Sequence, residues 1–267
     1  MIVAKVLLMI LLAGLLFSCA TVPITGRQRL SIIPASEMMS TGYQQYGEFL
    51  KSNQLSRDQT QVALVKKVGG RIQAAVKQYL AQNKMSDRLR GYQWEFNLVE
   101  SKEANAWCMP GGKVVVYTGI LPITKNEGGL AVVMGHEIAH AIAEHGNERM
   151  SQMLIAQMGG MALDQAMATS AAQTKQLWMS VYGAGVQVGA LLPYGRLQES
   201  EADHLGLIFM AIAGYDPREA IAFWERMAKS QGSKTAPEFL STHPSDETRI
   251  RQIRERLPEA LSYYRKG

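Results

Sequence analysis

Val62, Val65, Val68, Ile72 and Val76 recur at three- and four-residue steps, the spacing of a helix with one face turned to a core. This is the second of two helical segments between Ser36 and about Gln82, parted near Asn53 to Ser56. The period then drops to two. Tyr92, Trp94, Phe96 and Leu98 alternate with Gln93, Glu95 and Asn97, which predicts a half-buried strand. A second strand is expected over Lys113–Thr118, after turn residues Pro110-Gly111-Gly112. Asn105-Ala106-Trp107-Cys108-Met109 reads as a third, giving a small sheet just ahead of the next helix.

That helix is expected to start at Thr124, whose spacing to Glu127 is that of a capping box, and to stop at Gly146. Leu130, Val133, Met134, Ala141 and Ile142 make it apolar enough to be buried. Ser151 to Pro193, rich in Ala, Gly, Met and Gln, predicts a helical insertion placed to act as a lid, with its methionines filling core. Asp164 and Lys175 keep its apolar runs short of a membrane span. Further helices are expected over Leu197–Ile212, from Asp216-Pro217 with Asp216 as N-cap, and from His243-Pro244 to Leu257, where Pro258 should end the chain's last helix. Gln231 to Phe239 reads as a loop. The expected class is α+β, mostly α-helical, in one domain over residues 36–267.

Composition supports a globular protein: 47% hydrophobic and 19% charged residues. The net charge of +5 comes without a long basic run, so nucleic acid is not an expected partner. Lys5 followed by the apolar run Val6–Phe17 reads as a signal segment over residues 1–18. Leu16-Phe17-Ser18-Cys19 resembles a bacterial lipobox, which implies a lipidated Cys19. By the same resemblance, Ala20 points to the outer membrane, with the chain facing the periplasm. Residues 19–35, with Pro23, Gly26 and Pro34, then read as a tether. An acylated Cys19 leaves Cys108 without an intrachain disulfide partner, and Cys108 is expected to be a small packed hydrophobe.

The chemistry concentrates in His136-Glu137-Ile138-Ala139-His140. Residues four apart share a helix face, so His136 and His140 can offer two imidazoles to one ion while Glu137 reaches a water on it. A catalytic zinc site has three protein ligands, so a third must come from another element. His145 lies five residues past His140 and points about 140° away, a poor ligand. Glu199-Ser200-Glu201-Ala202-Asp203 is the better source. Glu199 can bind the metal and Asp203, one turn on, can hold the free N–H of a ligating histidine; Glu201 is the fallback. His204 is read as structural.

These pieces resemble the zinc metallopeptidases that include the heat-shock protease HtpX, the CAAX prenyl-protein endopeptidase and soluble bacterial lipoprotein relatives. The likeness rests on His136 to His140, the Glu199-to-Asp203 spacing, Asn105-Ala106 with Pro110-Gly111-Gly112, and Ser241-Thr242-His243-Pro244 followed by Arg249-Ile250. It implies an α-rich fold with a zincin-type helix beside a small sheet, and unfolded or membrane-protein substrates. The expected activity is a zinc endopeptidase, one Zn2+ per chain held by His136, His140 and Glu199, with Glu137 as general base. His243 is left between two roles, an oxyanion stabiliser and a fourth, displaceable ligand. Arg249 binds substrate or braces the carboxylates. The strand of Asn105, Ala106 and Trp107 can pair with an extended substrate. The rival reading is an envelope assembly factor whose metal site is closed or latent.

Overall fold

The computed structural model describes residues 19–187, 191–230, 237–244 and 247–265. The expected signal segment, and residues 231–236 of the expected loop, lie outside them. The chain divides into two compact units: the N-terminal stretch to Ala35 with Glu144–Gln198, and Ser36–Ala143 with Glu199–Gly267.

In the smaller unit, β1 (Cys19–Thr21) and β2 (Gln28–Leu30) form an antiparallel hairpin, so the expected tether is folded. Its basic residues find acids, which a reading by period alone does not detect. Arg27 makes two 2.7 Å hydrogen bonds to the Glu148 carboxylate, and Arg29 pairs with Glu144 at 2.6 Å. Ile32 N–H donates to Ser151 Oγ, and the Asn147 side chain donates to the Ile33 carbonyl.

The larger unit holds the sheet. Helix α1 (Ala35–Ser52) leads to α2 (Gln59–Gln82), capped by Asp58, whose carboxylate accepts from the amides of Thr60 and Gln61. Strands β3 (Glu95–Val99), β4 (Ala106–Met109) and β5 (Lys113–Tyr117) order as β3-β5-β4, with β5 parallel to β3 and antiparallel to β4. After the short α3 (Leu121–Thr124) comes α4 (Glu127–Ile142), buried from Gly129 to Ile142. The valine stripe of α2 is fully buried at Val65, Val68, Ile72 and Val76, as are Val114, Val115 and Val116 of β5. Each such side chain contributes on the order of 1.5–3 kcal/mol.

Helix α4 does not begin as expected. Thr124 Oγ1 donates back to the Leu121 carbonyl and closes α3, and Lys125 turns through a positive φ of 65°. The cap therefore passes to Asn126, whose side chain accepts from Gly129 N–H at 2.8 Å. Nor does Gly146 stop it. The chain turns at Glu144 (φ 55°), and Gly146 lies inside α5 (His145–Ala166), which belongs with α6 (Ala172–Val186) to the smaller unit.

Helix α7 (Leu192–Ile212) carries the carboxylates. Helix α8 (Glu219–Ser230) starts later than its proline suggests, because Asp216 accepts from Arg218 N–H in a preceding turn. The short α9 (Phe239–Thr242) leads to α10 (Glu247–Tyr263), which runs through Pro258. The helix continues past the proline, and Ala260, one turn inside its end, is 1% exposed. Among the described residues no helix is long and apolar enough to cross a membrane. The insertion's methionines are not core: Met153, Met158 and Met161 are more than half exposed, since α5 buries nothing beyond Ser151 and α6 nothing at all.

Burial opposes the charge of Glu148, yet Arg27 and Gln198 hold its carboxyl below the ordinary 4.5. A depressed acid contributes stability above its unfolded value and loses it as pH falls through the folded one. Hydrogen exchange in residues 19–33 and 145–155 should therefore quicken as pH drops below 4.5, after correction for intrinsic rates. In Glu148→Gln that pH dependence should vanish.

Candidate metal centre

The site is built where α4 crosses α7. A Cβ on Gly206 would lie 3.0 Å from the Gly135 carbonyl carbon and from His136 N, and one on Gly135 would lie 3.1 Å from the Gly206 carbonyl oxygen. Only two glycines let the backbones meet this closely. The crossing sets His136 of α4 opposite Glu199 and Asp203 of α7.

Four side chains converge. His140 Nε2 lies 3.0 Å from His136 Nε2, and His243 Nδ1 lies 3.1 Å from it. Glu199 Oε2 is 3.3 Å from His136 Nε2 and 2.9 Å from His243 Nδ1, while its Oε1 is 3.2 Å from His140 Nε2. One donor atom from each of His136, His140, Glu199 and His243 lies within 4.8 Å of the others. Ligands arranged tetrahedrally at zinc-to-nitrogen or zinc-to-oxygen bond lengths stand about 3.3 Å apart, so this donor set fits a single such ion. His145, Glu201 and His204 are not in the group; His204 instead bonds Glu259 at 2.8 Å.

The orientation of His136 is set from behind. Its Nδ1 is 2.9 Å from Asp203 Oδ1, leaving Nε2 for the other donors. Asp203 in turn receives two 2.8 Å hydrogen bonds from Arg249 Nε and Nη2. Arg249 also donates to the Pro244 carbonyl and stands 3.3 Å from Glu199. Its guanidinium is thereby shared between the Asp203 and Glu199 carboxylates. Its guanidinium lies over the Trp224 ring, 3.4 Å from the centroid, and that indole also meets His136 edge-on. Trp224 and Phe239, which stack on each other, form an aromatic wall that the spacing of residues does not mark; Phe239, the last residue of the expected loop, instead opens α9.

Electrostatics follow from this enclosure. Burial, the largest influence on His136, opposes its charge, but Asp203 and Glu199 outweigh it and raise the imidazole to about 9. Burial likewise opposes the Glu199 carboxylate, and the three imidazoles hold it below the ordinary range. Asp203 is desolvated too, and Arg249 and His136 keep it ionised.

Glu137 is 4% exposed, and its Oε1 lies 3.4 Å from His243 Nε2. His243 thus stands between the donor cluster and Glu137. Burial, with Glu137 nearby, pushes the Cys108 thiol well up, as suits a packed cysteine. Strand β4 is an edge of the sheet. The Trp107 ring on it packs edge-on to Phe49 and Tyr46, so this residue offers a partner strand its backbone more than its side chain.

The sequence model of Peptidase family M48 matches residues 66–257, which contain every residue of the cluster. Mitochondrial metalloendopeptidase OMA1 of Schizosaccharomyces pombe is 38% identical over 193 residues, 71% of this chain and 53% of that protein. Metalloendopeptidase OMA1, mitochondrial, of Bos taurus is 30% identical over 90% of this chain and 46% of its own length. The Beta-barrel assembly-enhancing protease of Escherichia coli is 30% identical over 61% of this chain and 34% of its own. The chain spans about half the length of the OMA1 proteins from yeasts and cattle.

The glycine crossing yields a measurable expectation. Gly206→Ala should destabilise the fold by about 1–3 kcal/mol, the usual cost of overpacking, in chemical denaturation. Gly195→Ala, where an added methyl meets nothing within 4 Å, should cost far less.

Proposed function

Because the chain belongs to peptidase family M48, we propose that it is a zinc-dependent endopeptidase acting on unfolded or misassembled proteins. The observation that carries this reading is the convergence of His136, His140 and Glu199 donors beside a buried Glu137. Zinc, when bound, supplies the Lewis acidity that acidifies a water and polarises a peptide carbonyl. The chain's residues do the rest. His136, His140 and Glu199 hold the ion, and Asp203, braced by Arg249, fixes the His136 ring. Glu137 accepts the proton of the attacking water and delivers it to the leaving nitrogen. An extended substrate adds to the outer edge of β4 along Asn105, Ala106 and Trp107 through main-chain hydrogen bonds, which favours unfolded chains over any one sequence.

His243 supports a refinement. Its Nδ1 joins the donor cluster while its Nε2 faces Glu137, as suits a fourth ligand that closes the site at rest and leaves when substrate enters. The same closure favours the second reading, an assembly factor with a latent centre; one relative's name joins β-barrel assembly to proteolysis. For location we propose the bacterial envelope, with the chain anchored through Cys19 and facing the periplasm. The support is the lipobox-like Leu16-Phe17-Ser18-Cys19, although the matched OMA1 relatives are mitochondrial. The relatives named above are OMA1 and assembly-enhancing proteases; within the family, the HtpX and CAAX-type likeness rests on the motifs alone.

Casein cleavage with and without chelator tests the reading. Glu137→Gln should keep its zinc and lose hydrolysis almost entirely; full activity in that variant would overturn the mechanism. Glu199→Gln should lose zinc by mass spectrometry while Glu201→Gln retains it.

His243→Ala separates the two roles of that residue by sign, at unchanged zinc content. Faster basal proteolysis marks a resting ligand. A loss of roughly a hundredfold marks an oxyanion donor.

A further inference from the structure

The helical hairpin α5–α6 presents apolar surface that its own unit does not use. On α5, Met150, Met153, Leu154, Met158 and Met161 fall at three- and four-residue steps and are each at least 40% exposed. On α6, Leu177, Trp178 and Val181 share a face and are 63%, 53% and 54% exposed. The two helices do hold each other: Tyr182 donates to the Ala156 carbonyl, and its ring fills the notch left by Gly159 and Gly160. What they leave open is a row of exposed apolar side chains on each helix, rich in thioethers and carrying an indole, the kind of cluster that marks an interaction surface. It is also nearly free of charge. Between Arg149 and Arg196 the only charged residues are Asp164 and Lys175, and these two pair at 2.7 Å.

The same unit holds the chain's route to a membrane. Strand β1 begins at Cys19, directly after the apolar run Val6–Phe17. Through Arg27–Glu148 and Arg29–Glu144 its hairpin is fastened to the N-terminal end of α5, just before Met150. Acylation of Cys19 and retention of the apolar run both bring the bilayer to this point. We propose that the α5–α6 hairpin docks on the lipid surface, its methionines and Trp178 settling among headgroups and upper acyl chains. The surface has no net charge, so it takes a neutral bilayer. Tryptophan favours that depth. This goes beyond the proposed activity and rests only on the membrane address at Cys19.

The test uses the full chain, purified from bacterial membranes and reconstituted in phosphatidylcholine vesicles, with and without bromine on the upper acyl chains. Brominated lipid should quench part of the tryptophan emission of the wild type, and Trp178→Phe should lose that part. Met153→Glu with Met158→Glu should also lose it while still floating with the vesicles. Quenching that persists in Trp178→Phe, or none in a floating wild type, would overturn the docking. A surface occupied by a second copy would show as the latter result, with Trp178 protected and a dimer in detergent. A wild type that fails to float would overturn the address and the docking together, leaving casein cleavage to judge the peptidase reading separately.

Discussion

A backbone contact decides this site. Helices α4 and α7 touch through Gly135 and Gly206, and that contact lets two residues of one helix and one of the other share a single ion-sized space. Side chains of ordinary size would hold helix axes 8–10 Å apart. The donor atoms, the carboxylate behind them and the arginine behind that all inherit their positions from the crossing.

The second constraint is charge. Glu199, Asp203, His136 and Arg249 are largely buried, and burying ions costs several kcal/mol each unless every one finds a partner. Here they do, in a chain from Arg249 through Asp203 to His136, with Trp224 closing the outer face of the guanidinium. An arrangement of this kind adds little net stability. It fixes one geometry of the donor cluster.

Much of this was readable from spacing. The i, i+4 pairs His136/His140 and Glu199/Asp203 announce shared helix faces, and alternation from Tyr92 to Leu98 announces the sheet. The ends of elements were less legible, because several groups compete for each cap. Thr124 was already committed to Leu121, so Asn126 took the role expected of it. The tether hid its order for another reason: what folds it is pairing of Arg27 and Arg29 with acids more than a hundred positions away, and hydrophobic period carries no trace of such pairs. Trp224 was invisible as part of the site because a buried indole and one that covers a guanidinium look alike in sequence.

The glycine contact also limits how the two helices can move. Where two helices touch through long side chains, rotamer changes cushion small changes of separation. Backbone against backbone offers no such cushion, so α4 and α7 can neither approach further nor part without breaking dense packing. The low-energy displacement left to them is a slide or roll about the contact, a shear rather than a hinge. Such a motion turns the donor-bearing faces against each other while keeping the helices in touch, so the angles among the donor atoms change before their distances do.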